Sequence, residues 1–286
     1  MDRNKEYKYL GLIILSMIAA CVETDIYLPA FVDMMQYFSV SEGAIQSLLT
    51  CNFFGICLSG PLYGPLSDSF GRKKPLLIAL AIFFVGSLVA LAATTLPLMF
   101  IGRILQGLGS GGCFTLGFAI IFDAFQQEKA VKAMNRLCTF IPVIMAAAPL
   151  AGGMLNNHFG FRSNFLAIAL LSFLSLFFCF LFLEETLDKS KRSSFQWSTL
   201  RNDFKQVLSH KGFWQLGLAT SAIFSGYIAF LSGTSVLFIM ELGLTKEQFP
   251  FVQAALLGAW VLAGLVVNKA IHWWGSDSIK KQGLIL

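Results

Sequence analysis

Residues 64–74 read GPLSDSFGRKK, and they lie between two long apolar stretches of the chain. Gly64 and Gly71 allow tight turns of the backbone, and Asp68 can accept hydrogen bonds from the start of a helix. Three basic residues follow. A charged loop between helices accounts for the basic residues, but it does not account for glycines spaced around an aspartate. We therefore interpret this stretch as a specific connection between two helices.

The apolar stretches on either side make up most of the chain. Of the 286 residues, 56% are hydrophobic and 13% are charged, and the mean hydropathy is +0.70. These values lie outside the range of ordinary soluble domains. As helices, stretches of about 20 residues at about 1.5 Å per residue cross a hydrocarbon layer of about 30 Å. Since the alternation of a membrane strand is missing, the sequence predicts an all-α polytopic membrane protein.

The basic residues predict the orientation of the helices. Of the 21 Lys and Arg residues, 18 lie in the N-terminal segment, in every second loop after it, or in the C-terminal tail. Because basic loops stay on the cytoplasmic side, we expect a multi-pass protein with a cytoplasmic N-terminus. The net charge of +5 then reflects topology and contact with anionic membrane lipid, with no nucleic-acid partner. The eight predicted spans are 9–31, 44–63, 75–94, 97–122, 133–155, 163–183, 212–240 and 249–271.

A polar segment divides the chain. Residues 184–211 begin with EETLDKSKRSS and continue with apolar residues at helical spacing, which predicts an amphipathic helix on the membrane surface. We expect a six-helix bundle at 1–183, a cytoplasmic connector at 184–211 and a partial second bundle at 212–286, with helices seven, eight and the start of nine. This order is typical of a transporter built from two halves.

Two predicted helices carry charges at membrane depth. A charged group there costs about 2.5–3.5 kcal/mol on insertion scales, so Arg103 should face a cavity or a counter-charge. Asp25 lies at a similar depth, which allows a pair with Arg103, direct or through water. Glu23 points about 200° away from Asp25 on a straight helix, and Pro29 removes the hydrogen bond to the carbonyl of residue 25. We predict that Asp25 faces the cavity, with Glu23 as the second candidate.

Such an acid can couple transport to protons. Burial favours the neutral form of a carboxyl group and a nearby arginine favours its charged form, so the group can gain and lose a proton. Proton-coupled export needs a group of this kind, because substrate competes with the proton for it. The alternative is a carboxylate that only satisfies a polar neighbour. Helical phase adds Tyr27, Gln106 and Asn52 as cavity residues, whereas Gly107 and Gly111 form a GxxxG face that predicts close helix packing.

Four stretches resemble one known family. RILQGLG, from Arg103 to Gly109, is similar to the fourth-helix motif of the major facilitator superfamily. APLAGG resembles the fifth-helix motif of its drug/proton antiporters at Pro149, Gly152 and Gly153. DIYLP in the first span, together with YGPLSD, resembles the bicyclomycin-resistance-like branch. The opening stretch resembles the family's signature loop, matched at Gly64, Leu66, Asp68, Gly71, Arg72 and Lys73.

The resemblance implies a major facilitator fold with a six-helix N-terminal half and an incomplete second half, about eight transmembrane helices in all. It implies an antiporter that exports drugs or small amphipathic compounds, driven by the proton gradient without a cofactor. We expect a monomer. Arg103 and Asp25 would serve coupling and binding, and Pro149 with its two glycines would form a hinge in helix five. The signature loop, above all Asp68, Gly71 and Arg72, would belong to a cytoplasmic gate.

Two alternatives stay open. A chain that stops after about eight helices would be a truncated product that inserts in the membrane but transports nothing. A nutrient uniporter or symporter is the other alternative, and the fifth-helix motif argues against it. The sequence has neither a phosphate-binding loop nor an HExxH-type spacing, so we predict no ATP-driven pump, no enzyme and no metal site.

Overall fold

The computed structural model of the protein describes residues 3–125, 127–193, 197–245 and 247–274. Helices make up most of these residues, and no strand occurs among them. Short connections join consecutive helices, except in the polar segment after residue 183 and between residues 236 and 249. The helices are α1 (Arg3–Asp25), α2 (Phe31–Phe38), α3 (Glu42–Phe70), α4 (Lys73–Ala92), α5 (Leu96–Ala124), α6 (Gln127–Phe159), α7 (Arg162–Phe182), α8 (Trp197–Ser209), α9 (Lys211–Val236) and α10 (Phe249–Trp274).

Six segments of the described residues are long and apolar enough to cross a membrane. The prediction of an all-α polytopic membrane protein is therefore confirmed. The other two predicted spans, 133–155 and 249–271, fall within α6 and α10. The predicted start of a ninth helix lies outside the described residues. The six segments are Tyr7–Phe38, Glu42–Phe70, Lys73–Ala92, Leu96–Ala124, Arg162–Phe182 and Lys211–Glu241.

The first membrane segment consists of two helices separated by a break at residues 26–30. Helix α1 ends at Asp25, and a single 3-10 turn, Leu28–Ala30, precedes α2. Pro29 lies in this turn, and its ring nitrogen has no hydrogen to donate to the carbonyl four residues earlier. The kink that Pro29 predicts is therefore a complete interruption of the α-helix, directly after the acidic residues.

Glycines bring helix α5 close to its neighbours. A Cβ atom at Gly109 would lie 2.5 Å from the backbone nitrogen of Phe83 in α4, and Gly107 contacts the backbone carbonyl of Asn52 in α3. Helix backbones approach this closely only where one of the two residues has no side chain. The glycine-rich stretch of α5 therefore packs α3, α4 and α5 together, as the GxxxG spacing predicts.

The two ends of the bundle differ in their polar contacts. We call the end that holds Gly71, Arg72 and the linker after α7 (residues 183–193) the basic end. At the opposite end, Arg162 at the start of α7 donates a 2.8 Å hydrogen bond to the Ala93 carbonyl, between α4 and α5. This hydrogen bond therefore joins α7 to the connection between α4 and α5 at that end.

Helices α9 and α10 pack against the N-terminal helices. The ring of Pro250, near the start of α10, contacts Gly153 of α6. Phe224 of α9 meets Phe53 of α3 edge-on, with 6.0 Å between ring centroids. Helix α9 carries exposed apolar residues such as Leu216 and Ile223, as expected of a helix in a membrane.

Candidate functional site

A fully buried ion pair joins the first and fourth membrane segments. Arg103 Nη1 donates to Glu23 Oε2 at 2.7 Å, and neither side chain is exposed. Arg103 also donates to Tyr27 Oη at 3.1 Å and to Gln106 Oε1 at 2.6 Å. Its guanidinium carbon lies 4.3 Å from the centre of the Tyr27 ring. These contacts compensate the arginine charge inside the bundle, where an unpaired charge would be costly.

Amide and hydroxyl groups complete the surroundings of the acid. Asn52 Nδ2 donates to Glu23 Oε1 at 2.7 Å, and Ser110 Oγ donates to the same oxygen at 3.2 Å. Gln106 Nε2 donates onward to Ser87 Oγ at 3.0 Å, which extends the network to α4. Both oxygens of Glu23 are therefore hydrogen-bonded. We call the following residues the buried polar cluster: Glu23, Tyr27, Asn52, Arg103, Gln106 and Ser110.

The pair predicted from membrane depth, Asp25 with Arg103, is not the pair that forms. Arg103 binds Glu23 instead, because Glu23 is the acid on the side of α1 that faces α5. Depth along the membrane predicts which residues lie at one level, but it does not tell which side of a helix faces which neighbour. Ser110 was not predicted, although it lies on the same face of α5 as Arg103 and Gln106, seven and four residues before it.

Asp25 lies beside the buried polar cluster but has different surroundings. Its side chain is fully buried, and neither carboxylate oxygen has a hydrogen-bond partner among the residues that the structure describes. The turn that follows Asp25, Leu28–Ala30, packs against α9. Asp25 is the last residue of α1. It therefore lies at the break in the first membrane segment, at the junction with α9.

Helix α6 contacts the same break. Gly152 meets the backbone carbonyl of Ile26, and the next residue, Gly153, meets Pro250 of α10. The helix continues through Pro149, from Gln127 to Phe159. The predicted fifth-helix motif is therefore the place where α6 touches both the break and α10, and its action as a hinge stays a prediction.

The substitution Gly152→Ala should destabilise the protein. The added methyl group would collide with the carbonyl oxygen of Ile26. This oxygen belongs to the backbone of the break, so it can move away only if the backbone of residues 26–30 moves. Overpacking of this kind costs about 1–3 kcal/mol, so we expect a lower thermal unfolding midpoint in detergent. Gly226→Ala in α9 is the matched control, since nothing lies within 4 Å of its added methyl group. Equal midpoints for the two variants would contradict the close contact.

The signature loop forms a second polar site, at the basic end. Arg72 Nη1 donates to Asp68 Oδ1 at 2.6 Å, and its Nε donates to Asp123 Oδ2 at 2.7 Å. Burial alone would lower the pKa of Arg72, but the hydrogen bonds and charges of Asp123 and Asp68 outweigh it and raise the pKa. Lys73 Nζ donates to the Phe180 carbonyl at 3.1 Å. These contacts tie the loop to the ends of α5 and α7.

The linker after α7 covers the same loop. Glu185 Oε1 accepts a 2.7 Å hydrogen bond from the backbone N–H of Arg72, and its other oxygen lies 3.5 Å from Arg192 Nη2. Glu185 and Asp123 were not predicted as site residues. Their position in the sequence could have identified them, since both acids follow predicted membrane spans that end on the side of the basic loop.

The two glycines of the signature loop have different structures. The turn predicted at Gly64 is wrong, because α3 continues as a helix to Phe70. Gly71 is the residue that ends this helix, and its φ of +91° is a conformation that L side chains rarely adopt. A Cβ atom at Gly71 would also meet the Glu185 carboxylate.

We expect Gly71→Ala to loosen the linker, because the backbone strain of about 1–3 kcal/mol would displace the loop from Glu185. The measurement is the rate of trypsin cleavage within residues 183–193 of the detergent-solubilised protein, which should rise. Gly64→Ala is the control from the same motif, since its added methyl group meets nothing within 4 Å. If both variants are cleaved at the wild-type rate, Gly71 does not hold the linker in place.

Ionisable residues that are paired inside a bundle of membrane helices, as Glu23 and Arg103 are, mark pathways for substrates or ions. The model of the Major Facilitator Superfamily matches residues 13–286. The chain belongs to this superfamily of transporters, which are not enzymes.

Similar proteins cover most of the chain. It is 26% identical over 265 residues to the Bicyclomycin resistance protein homolog of Haemophilus influenzae, which covers 92% of this chain and 66% of that protein. It is 27% identical over 267 residues to Multidrug resistance protein D of Escherichia coli, with 91% and 66% covered. The chain thus spans about two thirds of the length of these relatives.

Solved structures share the fold. A bacterial homolog of the human lysosomal transporter Spinster, in an inward-facing and occupied conformation, has a TM-score of 0.73 with this chain. The sequence identity is 16%, and the match covers 90% of this chain and 59% of that one. The predicted major facilitator fold is therefore confirmed.

Proposed function

We propose that the chain acts in proton-coupled export of small amphipathic or drug-like compounds, by exchange of substrate for protons. The observation that carries this proposal is the buried carboxyl group of Asp25, which has no hydrogen-bond partner among the described residues and lies at a break in a membrane helix. Ionisable groups inside a membrane are rare and serve function by default. The names of the two relatives, a bicyclomycin resistance protein homolog and a multidrug resistance protein, support the substrate class.

The two acids of the first segment have separate roles in this proposal. Arg103 and Asn52 compensate the charge of Glu23 in place, through an ion pair and a hydrogen bond. Asp25 has no such compensation, so taking up a proton removes a charge that burial penalises. Losing the proton requires water or a cationic substrate at the junction with α9, and proton and substrate therefore compete for Asp25. The proton gradient supplies the energy, and no cofactor is needed.

The signature loop is the proposed gate. Basic residues concentrate at that end, so we assign it to the cytoplasmic side of the bacterial inner membrane, with the N-terminus on the same side. The contacts of Arg72 with Asp123 and of Lys73 with Phe180 support the proposal that residues 1–183 form one bundle. Residues 184–211 connect it to a second bundle at 212–286, and the contact of Gly152 and Gly153 with the break and α10 is the proposed hinge.

The test is transport by the 286-residue chain as a monomer in lipid vesicles. We expect an imposed proton gradient to drive ethidium efflux above that of empty vesicles, and an uncoupler to stop it. Efflux equal to that of empty vesicles would contradict the proposal and favour the transport-inactive fragment. Efflux that continues at the same rate after the uncoupler is added would contradict proton coupling and favour a uniporter.

A further inference from the structure

A groove of about 760 Å³ lies between α8 and α3, near the basic end of the bundle. Its wall is apolar on both sides: Leu62 comes from α3, and Leu200, Phe204 and Leu208 come from α8. The three α8 residues are four positions apart, so they form one stripe along the helix. Leu62, Phe204 and Leu208 keep 47%, 39% and 46% of their surface exposed, which leaves the groove open to an apolar ligand.

The same groove carries two positive charges. Arg201 and Lys205 line it and are also four positions apart, next to the apolar stripe. Among the described residues, neither side chain has a hydrogen bond or an ion pair. Arg72 and Arg192, at the same end, are bound to acids. The groove therefore combines an apolar wall with two cationic groups that have no acidic partner among the described residues.

An amphipathic helix with this pattern lies at the boundary between acyl chains and headgroups. Clustered basic residues at that level attract acidic lipids. A ligand that matches the groove has one anionic group and an apolar chain, and a membrane protein meets this combination in the surrounding bilayer.

We propose that the groove binds one acidic phospholipid of the phosphatidylglycerol type. Its phosphate lies between Arg201 and Lys205, and its acyl chains follow Leu62, Phe204 and Leu208. A bound lipid holds the connector helix α8 against α3. This site depends on the membrane location of the chain and not on transport, so it stands or falls separately from the proposed export.

The test is native mass spectrometry of the 286-residue chain in a neutral detergent, titrated with phosphatidylglycerol or with phosphatidylcholine of the same acyl chains. We expect one phosphatidylglycerol to bind with higher affinity than phosphatidylcholine. The double variant Arg201→Gln with Lys205→Gln should lower that affinity by about 30-fold, since each basic residue near an anionic lipid contributes roughly a fivefold factor. The double variant Lys74→Gln with Lys189→Gln removes the same charge outside the groove and should bind as the wild type does.

Three results would overturn the proposal. The first is equal affinity for the two lipids in the wild type, which needs no variant to be folded. The second is an equal loss of binding in both double variants, which would mean that net charge alone attracts the lipid. The third is binding of sn-glycerol 3-phosphate as tightly as phosphatidylglycerol, which would assign the cationic pair to a free phosphate compound.

Discussion

Asp25→Asn is expected to abolish proton-driven efflux, reducing it to the level of empty vesicles. Asparagine has nearly the shape of aspartate but takes up no proton, so the competition between proton and substrate is lost. Because neither Asp25 oxygen has a hydrogen-bond partner among the described residues, the amide breaks no hydrogen bond there. The unfolding midpoint should therefore stay close to that of the wild type. The measurement is ethidium efflux from vesicles over a series of imposed pH gradients.

The same variant gives a second measurement that does not depend on transport. Competition between one proton and a cationic substrate changes the apparent affinity by up to about tenfold per pH unit. We expect ethidium binding to the detergent-solubilised wild type to weaken as the pH falls, and binding to Asp25→Asn to be independent of pH. Glu42→Gln, which changes an exposed acid at the start of α3, should keep the wild-type pH dependence. Persistent pH dependence in Asp25→Asn would exclude Asp25 as the coupling group.

The matching substitution two residues earlier, Glu23→Gln, should damage folding. It leaves the Arg103 guanidinium fully buried without its counter-charge. Breaking a buried ion pair by removing one partner costs about 3–5 kcal/mol, which is a large part of the stability of most proteins. We expect a strongly lowered unfolding midpoint and little folded protein after extraction in detergent.

A double variant separates loss of charge from loss of shape. Glu23→Gln combined with Arg103→Met removes both charges, and replacing a buried pair by neutral groups of similar size is often nearly neutral. The double variant should therefore be more stable than Glu23→Gln alone. If Glu23→Gln is as stable as Asp25→Asn, the ion pair does not stabilise the bundle as its geometry implies.

Spacing and composition predict the helices of this protein well, because a membrane allows few alternatives to long apolar helices. Four residues of the buried polar cluster were predictable for the same reason: polar groups at membrane depth must find one another, as Arg103, Gln106, Tyr27 and Asn52 do. Glu23 was predicted only as a second proton carrier. Its place beside Arg103 depends on the rotation of α1 against α5, which packing of the whole bundle decides.

The basic end was predictable only in part. The signature motif predicted that Asp68, Gly71 and Arg72 act together, but their partners Asp123 and Glu185 are distant in sequence. Such pairs depend on the order of helices around the bundle, which local patterns do not contain. The prediction of a turn at Gly64 was wrong because α3 continues past the membrane core. The neighbours of a glycine in sequence do not distinguish a glycine inside a helix from a glycine in a turn.

Because of the break between α1 and α2, the helical register of one does not determine the register of the other. In an unbroken helix, inserting or deleting one residue rotates every later side chain by about 100°. Here the turn at residues 26–30 can absorb such a change, so the fit of Glu23 to Arg103 need not alter the 2.6 Å hydrogen bond between Asp33 of α2 and Asn156 of α6. Each half of the first membrane segment can therefore diverge in evolution while the other keeps its contacts.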